Sequence, residues 1–178
     1  MRHLLVIAIL TTVASADPDR HGFMIGASLG AGGATACGGD CDRLAGGAAE
    51  VHIGAWLNPQ WALSYEAWVY TGDPTSLVAN GTGVGLATVT TRLAPRVWIK
   101  AGAGLALYMH DDPVAMQLTG MDTSLRHRGL GLGAGVGYEL YQSPGSIVVD
   151  LSARTMVGMY PDHGANMAGG ALLGVSWN

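Results

Sequence analysis

Charged side chains are scarce in this chain. They make up 12% of its 178 residues, with 9 Lys and Arg against 13 Asp and Glu, for a net charge of −4. Nucleic-acid binding calls for a basic stripe, and the sequence has none. Cysteine is reduced to Cys37 and Cys41. Neither belongs to a C-x-x-C or H-E-x-x-H pattern, and two cysteines alone do not complete a metal site. No G-x-G-x-x-G spacing occurs, which removes the dinucleotide fingerprint. The one long apolar run, Leu4–Val13, is too short to cross a bilayer as a helix. Long polar tracts are missing, so disorder is not expected, and without a Gly-X-Y period a collagen-like chain is excluded.

That one apolar run has a different use. Arg2 and His3 precede it, and Ala14-Ser15-Ala16 follows as an A-x-A cleavage site. Residues 1–16 therefore read as a secretory signal peptide cut before Asp17, leaving a single domain over 17–178. Loss of Arg2 leaves eight Lys and Arg against all 13 Asp and Glu. Export makes a disulfide chemically permissible. Cys37 and Cys41 are separated by Gly38, Gly39 and Asp40, so a tight loop can close between them, and a local disulfide is the preferred reading.

Glycine is abundant, at 28 residues, about twice the usual frequency. Its placement is most regular in Arg128–Tyr141, RGLGLGAGVGYELY, where Gly129, Gly131, Gly133, Gly135 and Gly137 fall on every second residue. On a helix these glycines would scatter over all faces. On a strand they form one bare face opposite Leu130, Leu132, Ala134, Val136, Tyr138 and Leu140.

The same period of two recurs along the chain and predicts eight strands: Gly22–Ala31, Gly47–Asn58, Gln60–Tyr70, Gly83–Leu93, Val97–His110, Arg128–Tyr141, Ile147–Tyr160 and Asn166–Trp177. Connections at Asn58-Pro59, Ala94–Arg96 and Gln142–Ser146 are short and rich in turn formers. Those near Gly32–Gly46, Thr71–Thr82 and Asp111–His127 are longer and polar, and a fourth runs over Pro161–Ala165. Short turns at one end and long loops at the other fit an all-β, eight-stranded, antiparallel up-and-down barrel of the transmembrane kind.

The two faces of the strands support that version. A soluble strand hides its apolar face and studs the other with Lys and Glu. Here one face is continuously apolar, and the other carries isolated charges of both signs among Gly, Ala and Ser. An eight-stranded barrel has just enough interior for side chains. Glu50, His52, Glu66, Lys100, Glu139, Asp150 and Arg154 share the less apolar parity and are expected to form a polar network in the lumen, paired because buried charge needs partners. Large inward groups such as Trp56, Trp68 and Tyr108 would face the bare backbone of the glycine face. Phe23, Trp61 and Trp177 fall on the outward parity near the short-turn end, as an aromatic girdle requires.

Several stretches carry a resemblance: GAGLALY at Gly102–Tyr108, GLGAGVGYELY at Gly131–Tyr141, DLSAR at Asp150–Arg154 and the closing GALLGVSWN at Gly170–Asn178. In order and spacing, the chain resembles the small outer-membrane β-barrel proteins of Gram-negative bacteria, the broad group of OmpA, OmpX and OmpW. Such proteins usually finish on an aromatic residue, whereas here Trp177 is followed by Asn178. The resemblance implies an outer-membrane location, contact with outer-membrane lipids including lipopolysaccharide, and handling by the barrel-assembly machinery.

The expected role is structural, adhesive or in passage of a small solute, without catalysis, cofactor or metal. Two alternatives stand beside it. A lipid-modifying enzyme would need a nucleophile, base and acid in reach, for which Ser64 with Glu66, or Ser152 with His52, are the available sets. A soluble lipocalin-like binder would need a charged surface, against which the low charge count argues. His110, Asp111, Asp112 and His127 flank one loop and are expected to be solvated rather than ligands of a cation.

Overall fold

The computed structural model describes residues 20–37, 41–72, 81–111, 124–143, 146–162 and 164–178. The signal peptide over 1–16 lies outside the described residues. Eight strands follow in chain order: β1 (Gly22–Cys37), β2 (Cys41–Trp56), β3 (Trp61–Thr71), β4 (Gly81–Ala94), β5 (Val97–Asp111), β6 (Ser124–Gln142), β7 (Ile147–Tyr160) and β8 (Gly164–Trp177). Each pairs antiparallel with its neighbours in sequence, and β1 pairs with β8, so the sheet closes into a barrel with no free edge.

With an even number of strands, β1 begins and β8 ends at the same end of the barrel. The turns at 57–60, 95–96 and 143–146 share that end, referred to below as the turn end. The turn after β2 is built by Asn58, whose Oδ1 accepts the backbone N–H of Gln60 and Trp61 at 2.9 Å each, the local hydrogen bonding that makes Asn a turn former. At the opposite end β3 and β5 finish at Thr71 and Asp111, and β4 and β6 begin at Gly81 and Ser124.

The predicted limits of β7 match the observed strand, and most others agree within a few residues. The first connection does not. Gly32–Gly46 was expected to be a long loop, yet β1 runs on to Cys37 and β2 starts at Cys41, with pairs such as Gly33↔Ala45 and Cys37↔Cys41. Gly and Ala make up eight of its 15 residues, and Asp40, Asp42 and Arg43 add charge, so it offers no apolar-against-polar alternation, while its backbone still completes the ladder. β8 continues the same ladder up to Cys37↔Ala165.

Side chains alternate in burial along the wall. On β3 the odd residues Trp61, Leu63, Tyr65 and Val69 are exposed, and Ala62, Ser64, Glu66, Trp68 and Tyr70 are buried. Among the described residues, exposed large hydrophobic side chains such as Leu29, Leu105, Leu130 and Leu173 cover the barrel's outside. Phe23, Trp61 and Trp177 are among them, near the turn end. Two bulges, at Arg92/Ala94 and Glu139/Tyr141, lie next to turns. Each adds one residue to one strand, as bulges at barrel rims do.

Candidate functional site

The closed wall surrounds a lumen, and its contents are layered. Nearest the turn end lie Met24, Trp56 and Ala62. Trp56 donates its indole Nε1–H to Asn178 Oδ1 at 3.1 Å, so the residue after the terminal tryptophan closes this layer. Asn178 is itself held by its backbone N–H, which donates to the Ser146 carbonyl at 3.0 Å.

Above this lies an ionic layer in two groups. In the first, Arg20 donates from both terminal nitrogens to the two oxygens of Glu139, at 2.9 and 3.1 Å. Arg92 donates to the second oxygen of the same carboxylate. Both guanidinium groups lie over the Trp56 ring, 5.4 and 5.7 Å from its centroid, a favourable placement for cations against a π face. In the second group, Lys100 pairs with Glu66 and sits 3.6 Å from Glu50. Arg154 pairs with Glu50 and sits 3.4 Å from Glu66. His52 Nδ1 is 3.0 Å from Glu50 Oε1. Lys100 and Arg154 also lie over the Trp98 ring, at 5.0 and 5.4 Å.

The buried acids are Glu50, Glu66, Glu139 and Asp150; the buried fixed cations are Arg20, Arg92, Lys100 and Arg154. Their numbers match, which is the condition for burying charge without a large uncompensated desolvation penalty. All seven residues expected in the network, Glu50, His52, Glu66, Lys100, Glu139, Asp150 and Arg154, are buried in the lumen. Six of them join through the contacts above. Asp150 instead lines a small polar cavity of about 40 Å³ with Arg20, His52, Thr90 and Lys100, and its Oδ1 has no hydrogen-bond partner in the protein.

Two members escaped the sequence. Arg92 lies on β4, where both faces are mild, and its parity with Thr88 and Thr90 is the only signal. Arg20 precedes the first strand, so no alternation marks it.

Toward the far end the lumen turns apolar, with Trp68, Val84, Leu86, Met156 and Leu172 packed in one cluster. Tyr160 tops it, its hydroxyl 3.1 Å from Thr82 Oγ1. Another lumen void among the described residues, bounded by Glu66, Leu86, Lys100 and Arg154 among others, holds only about 10 Å³. A water needs roughly 10–15 Å³ of such space, so neither void is a ligand chamber.

The glycine face does point inward, but its partners differ from those expected. A Cβ at Gly137 would collide with the Trp98 ring, and one at Gly133 with Leu86. At Gly135 it would meet the stems of Arg154 and Lys100, at 3.2 and 3.4 Å. Trp98, not Trp56, Trp68 or Tyr108, is the large group accommodated. The register explains this: Trp98 pairs with Gly137 and Lys100 with Gly135 across β5 and β6.

The serines of the two expected catalytic sets hydrogen-bond to other groups among the described residues. The Ser64 hydroxyl is bonded to Thr88 Oγ1 at 2.7 Å. Ser152 Oγ accepts from Arg154 Nε at 3.2 Å, while His52 is engaged by Glu50. No cluster of three potential metal-ligating residues occurs among the described residues. His127 stacks with Tyr108, ring centroids 6.2 Å apart. The backbones of Cys37 and Cys41 are cross-strand partners; their side chains lie outside the described residues.

One feature of the outside breaks the pattern. β6 begins four residues earlier than expected, and this places Arg126 and Arg128 on its outward parity, both exposed. Among the described side chains they are the only charged ones on the outward face of a strand.

No protein family and no curated protein matches the sequence. Solved structures do match in fold. The chain is similar to Neisserial surface protein A at 18% identity and a TM-score of 0.59, covering 87% of this chain and 96% of that one. It is similar to Ail, the attachment invasion locus protein of Yersinia pestis, crystallised with the heparin analogue sucrose octasulfate, at 15% identity and a TM-score of 0.54, covering 88% and 98%. A second structure of Ail gives 16% identity and a TM-score of 0.53. The fold is that of the small eight-stranded outer-membrane barrels.

Proposed function

We propose that this chain is an integral protein of the Gram-negative outer membrane, exported by its signal peptide, with a structural or surface-contact role and no catalysis. The observation that carries this reading is the polarity of the wall. Its outside is covered by exposed Leu, Ile, Val and aromatic residues, whereas its balanced charges are enclosed. In water that arrangement would expose a large apolar surface and bury ions. In a bilayer both faces are matched to their surroundings.

The turn end would face the periplasm and the long connections the outside. Outer-membrane lipids, lipopolysaccharide among them, would surround the wall, and the barrel-assembly machinery would insert it. The filled lumen favours a closed barrel over a solute path, and the small voids speak against a lipocalin-like binder. Two of the similar barrels are described as a surface protein and an attachment invasion locus protein, which supports a surface-facing role for the loop end.

The test is extraction of the envelope fraction, followed by denaturing gels of unheated and heated samples. Release by detergent only, with a heat-dependent mobility change, supports the proposal. Release by salt alone would overturn it.

A further inference from the structure

The outer wall carries a groove across β3 to β6 that the apolar coat does not fill. Its volume is about 440 Å³, within the range of about 300–1,000 Å³ typical of small-ligand sites. Gly83 and Gly85 on β4 form its floor. Tyr65 and Val69 of β3 stand on one side, and Leu105 and Leu107 of β5 on the other. Beyond them lie Arg126 and Arg128 of β6, which also line it.

Register fixes how these residues are arranged. One row across four strands reads Val69↔Gly83, Gly83↔Leu107 and Leu107↔Arg128. The row nearer the turn end reads Ala67↔Gly85, Gly85↔Leu105 and Leu105↔Leu130. The row nearer the loop end brings Met109 beside Arg126. The groove is thus apolar below and cationic at its loop-end rim. On β3 the outward apolar series starts at Trp61 and ends at Val69, so the rim coincides with the upper edge of the apolar band. A charge on the lipid face is tolerated there, because its penalty falls away toward the membrane interface. Neither arginine makes an ion pair or side-chain hydrogen bond among the described residues.

We propose that this groove binds one molecule of a phosphorylated, acylated lipid of the outer leaflet, a lipopolysaccharide, resting on the membrane reading above. An acyl chain would lie along Gly83, where the missing side chain leaves room between Val69 and Leu107; at Gly85 the Tyr65 hydroxyl already covers the backbone and walls the groove on its turn-end side. Arg126 and Arg128, two residues apart on one face, stand about 6.5 Å apart along the strand. They would donate to phosphate oxygens in the forked geometry that suits arginine to phosphate. The occupant is anionic because two like charges and, among the described residues, no acid line the groove; it is a lipid because the floor faces hydrocarbon.

The test uses the folded full barrel in a neutral detergent, with lipid retention read by native mass spectrometry. Diphosphorylated lipid A is the probe, and phosphatidylglycerol is the competing source of phosphate and acyl chains. Two variants address the two halves of the site. Arg126→Gln with Arg128→Gln removes the cations, which hold nothing else in place. Gly83→Phe fills the floor, and the position accepts a side chain because a Cβ there meets only Trp68 O and Val69 Cγ1, both at 3.4 Å. Both variants are expected to keep the heat-dependent gel shift. Each is expected to retain lipid A at least about tenfold more weakly, the scale of a lost charged hydrogen bond. Arg96→Gln, which removes one exposed charge at the opposite end, is expected to retain it unchanged.

Equal retention by wild type and both variants would overturn the site, as would an equal loss in Arg96→Gln or a preference for phosphatidylglycerol. A barrel that stays in solution without detergent would instead overturn the membrane reading, so the two failures are distinguishable.

Discussion

Arg20 grips Glu139 through both carboxylate oxygens, at 2.9 and 3.1 Å, although 119 residues separate them in the chain. The contact ties the segment before β1 to β6, across the mouth of the lumen. Arg92 holds the same carboxylate from β4. Glu139 is therefore the single anion between two buried cations.

Removing that anion should be severe. Glu139→Gln would leave Arg20 and Arg92 buried and facing each other, and breaking a buried pair typically destabilises by about 3–5 kcal/mol. Arg20→Ala leaves Glu139 with Arg92 and is expected to have a clearly smaller effect. Denaturant unfolding of the detergent-held barrel, followed by tryptophan fluorescence, measures both. Equal losses would show that Arg20 and Arg92 do not share Glu139 as the geometry indicates.

The glycine face should not tolerate alanine uniformly. Gly135→Ala meets the flexible stems of Arg154 and Lys100 at 3.2 and 3.4 Å and the Ala153 carbonyl at an ordinary contact distance of 3.4 Å, so folding should be nearly unaffected. Gly137→Ala drives a methyl into the Trp98 ring. Overpacking of this kind typically destabilises by about 1–3 kcal/mol. The folded fraction on unheated gels, compared across the two variants, checks the order.

Cys37 and Cys41 are direct cross-strand partners. Such partners have Cα atoms about 4.5–5.5 Å apart, inside the window of about 4.4–6.8 Å that a disulfide needs. Intact-mass measurement of the exported protein is expected to show a loss of two hydrogens relative to the reduced chain. Reduction is expected to leave the gel shift in place, because the barrel closes through β1 and β8 independently of this hairpin tip. A full complement of free thiols in the exported protein would contradict the pairing.

A lumen whose voids among the described residues measure about 40 and 10 Å³ should not conduct. Planar-bilayer recordings of the wild type are expected to lack a steady open state. A persistent conductance would mean that the ionic layer or the apolar layer above it opens.

Much of this architecture was legible because a strand with unlike faces announces its own period. β7, with Asp150, Ser152 and Arg154 against Ile147, Val149 and Leu151, is the clearest instance, and its limits were read correctly. The seven lumen residues followed from the same parity. What stayed hidden had no contrast to display. Gly and Ala around Gly32–Gly46 look alike on both faces, so the extension of β1 and β2 was invisible. Arg20 lies outside any alternation. The match of Trp98 to Gly137 depends on the stagger between β5 and β6, which one strand's pattern does not contain. Arg126 and Arg128 reverse the rule that charge goes inward, and a rule cannot reveal its own exceptions.

The most direct test of the account is which leucines touch lipid. Leu105, Leu132 and Leu151 are exposed on the wall, whereas Leu86 and Leu172 are enclosed, with Leu172 fully buried. With methyl-labelled barrel in lipid nanodiscs, nuclear Overhauser contacts to acyl-chain protons report this residue by residue. Contacts from Leu105, Leu132 and Leu151, and none from Leu86 and Leu172, are the expected result. Acyl-chain contacts from Leu86 and Leu172, with the other three silent, would contradict the inside-out assignment on which the membrane reading rests.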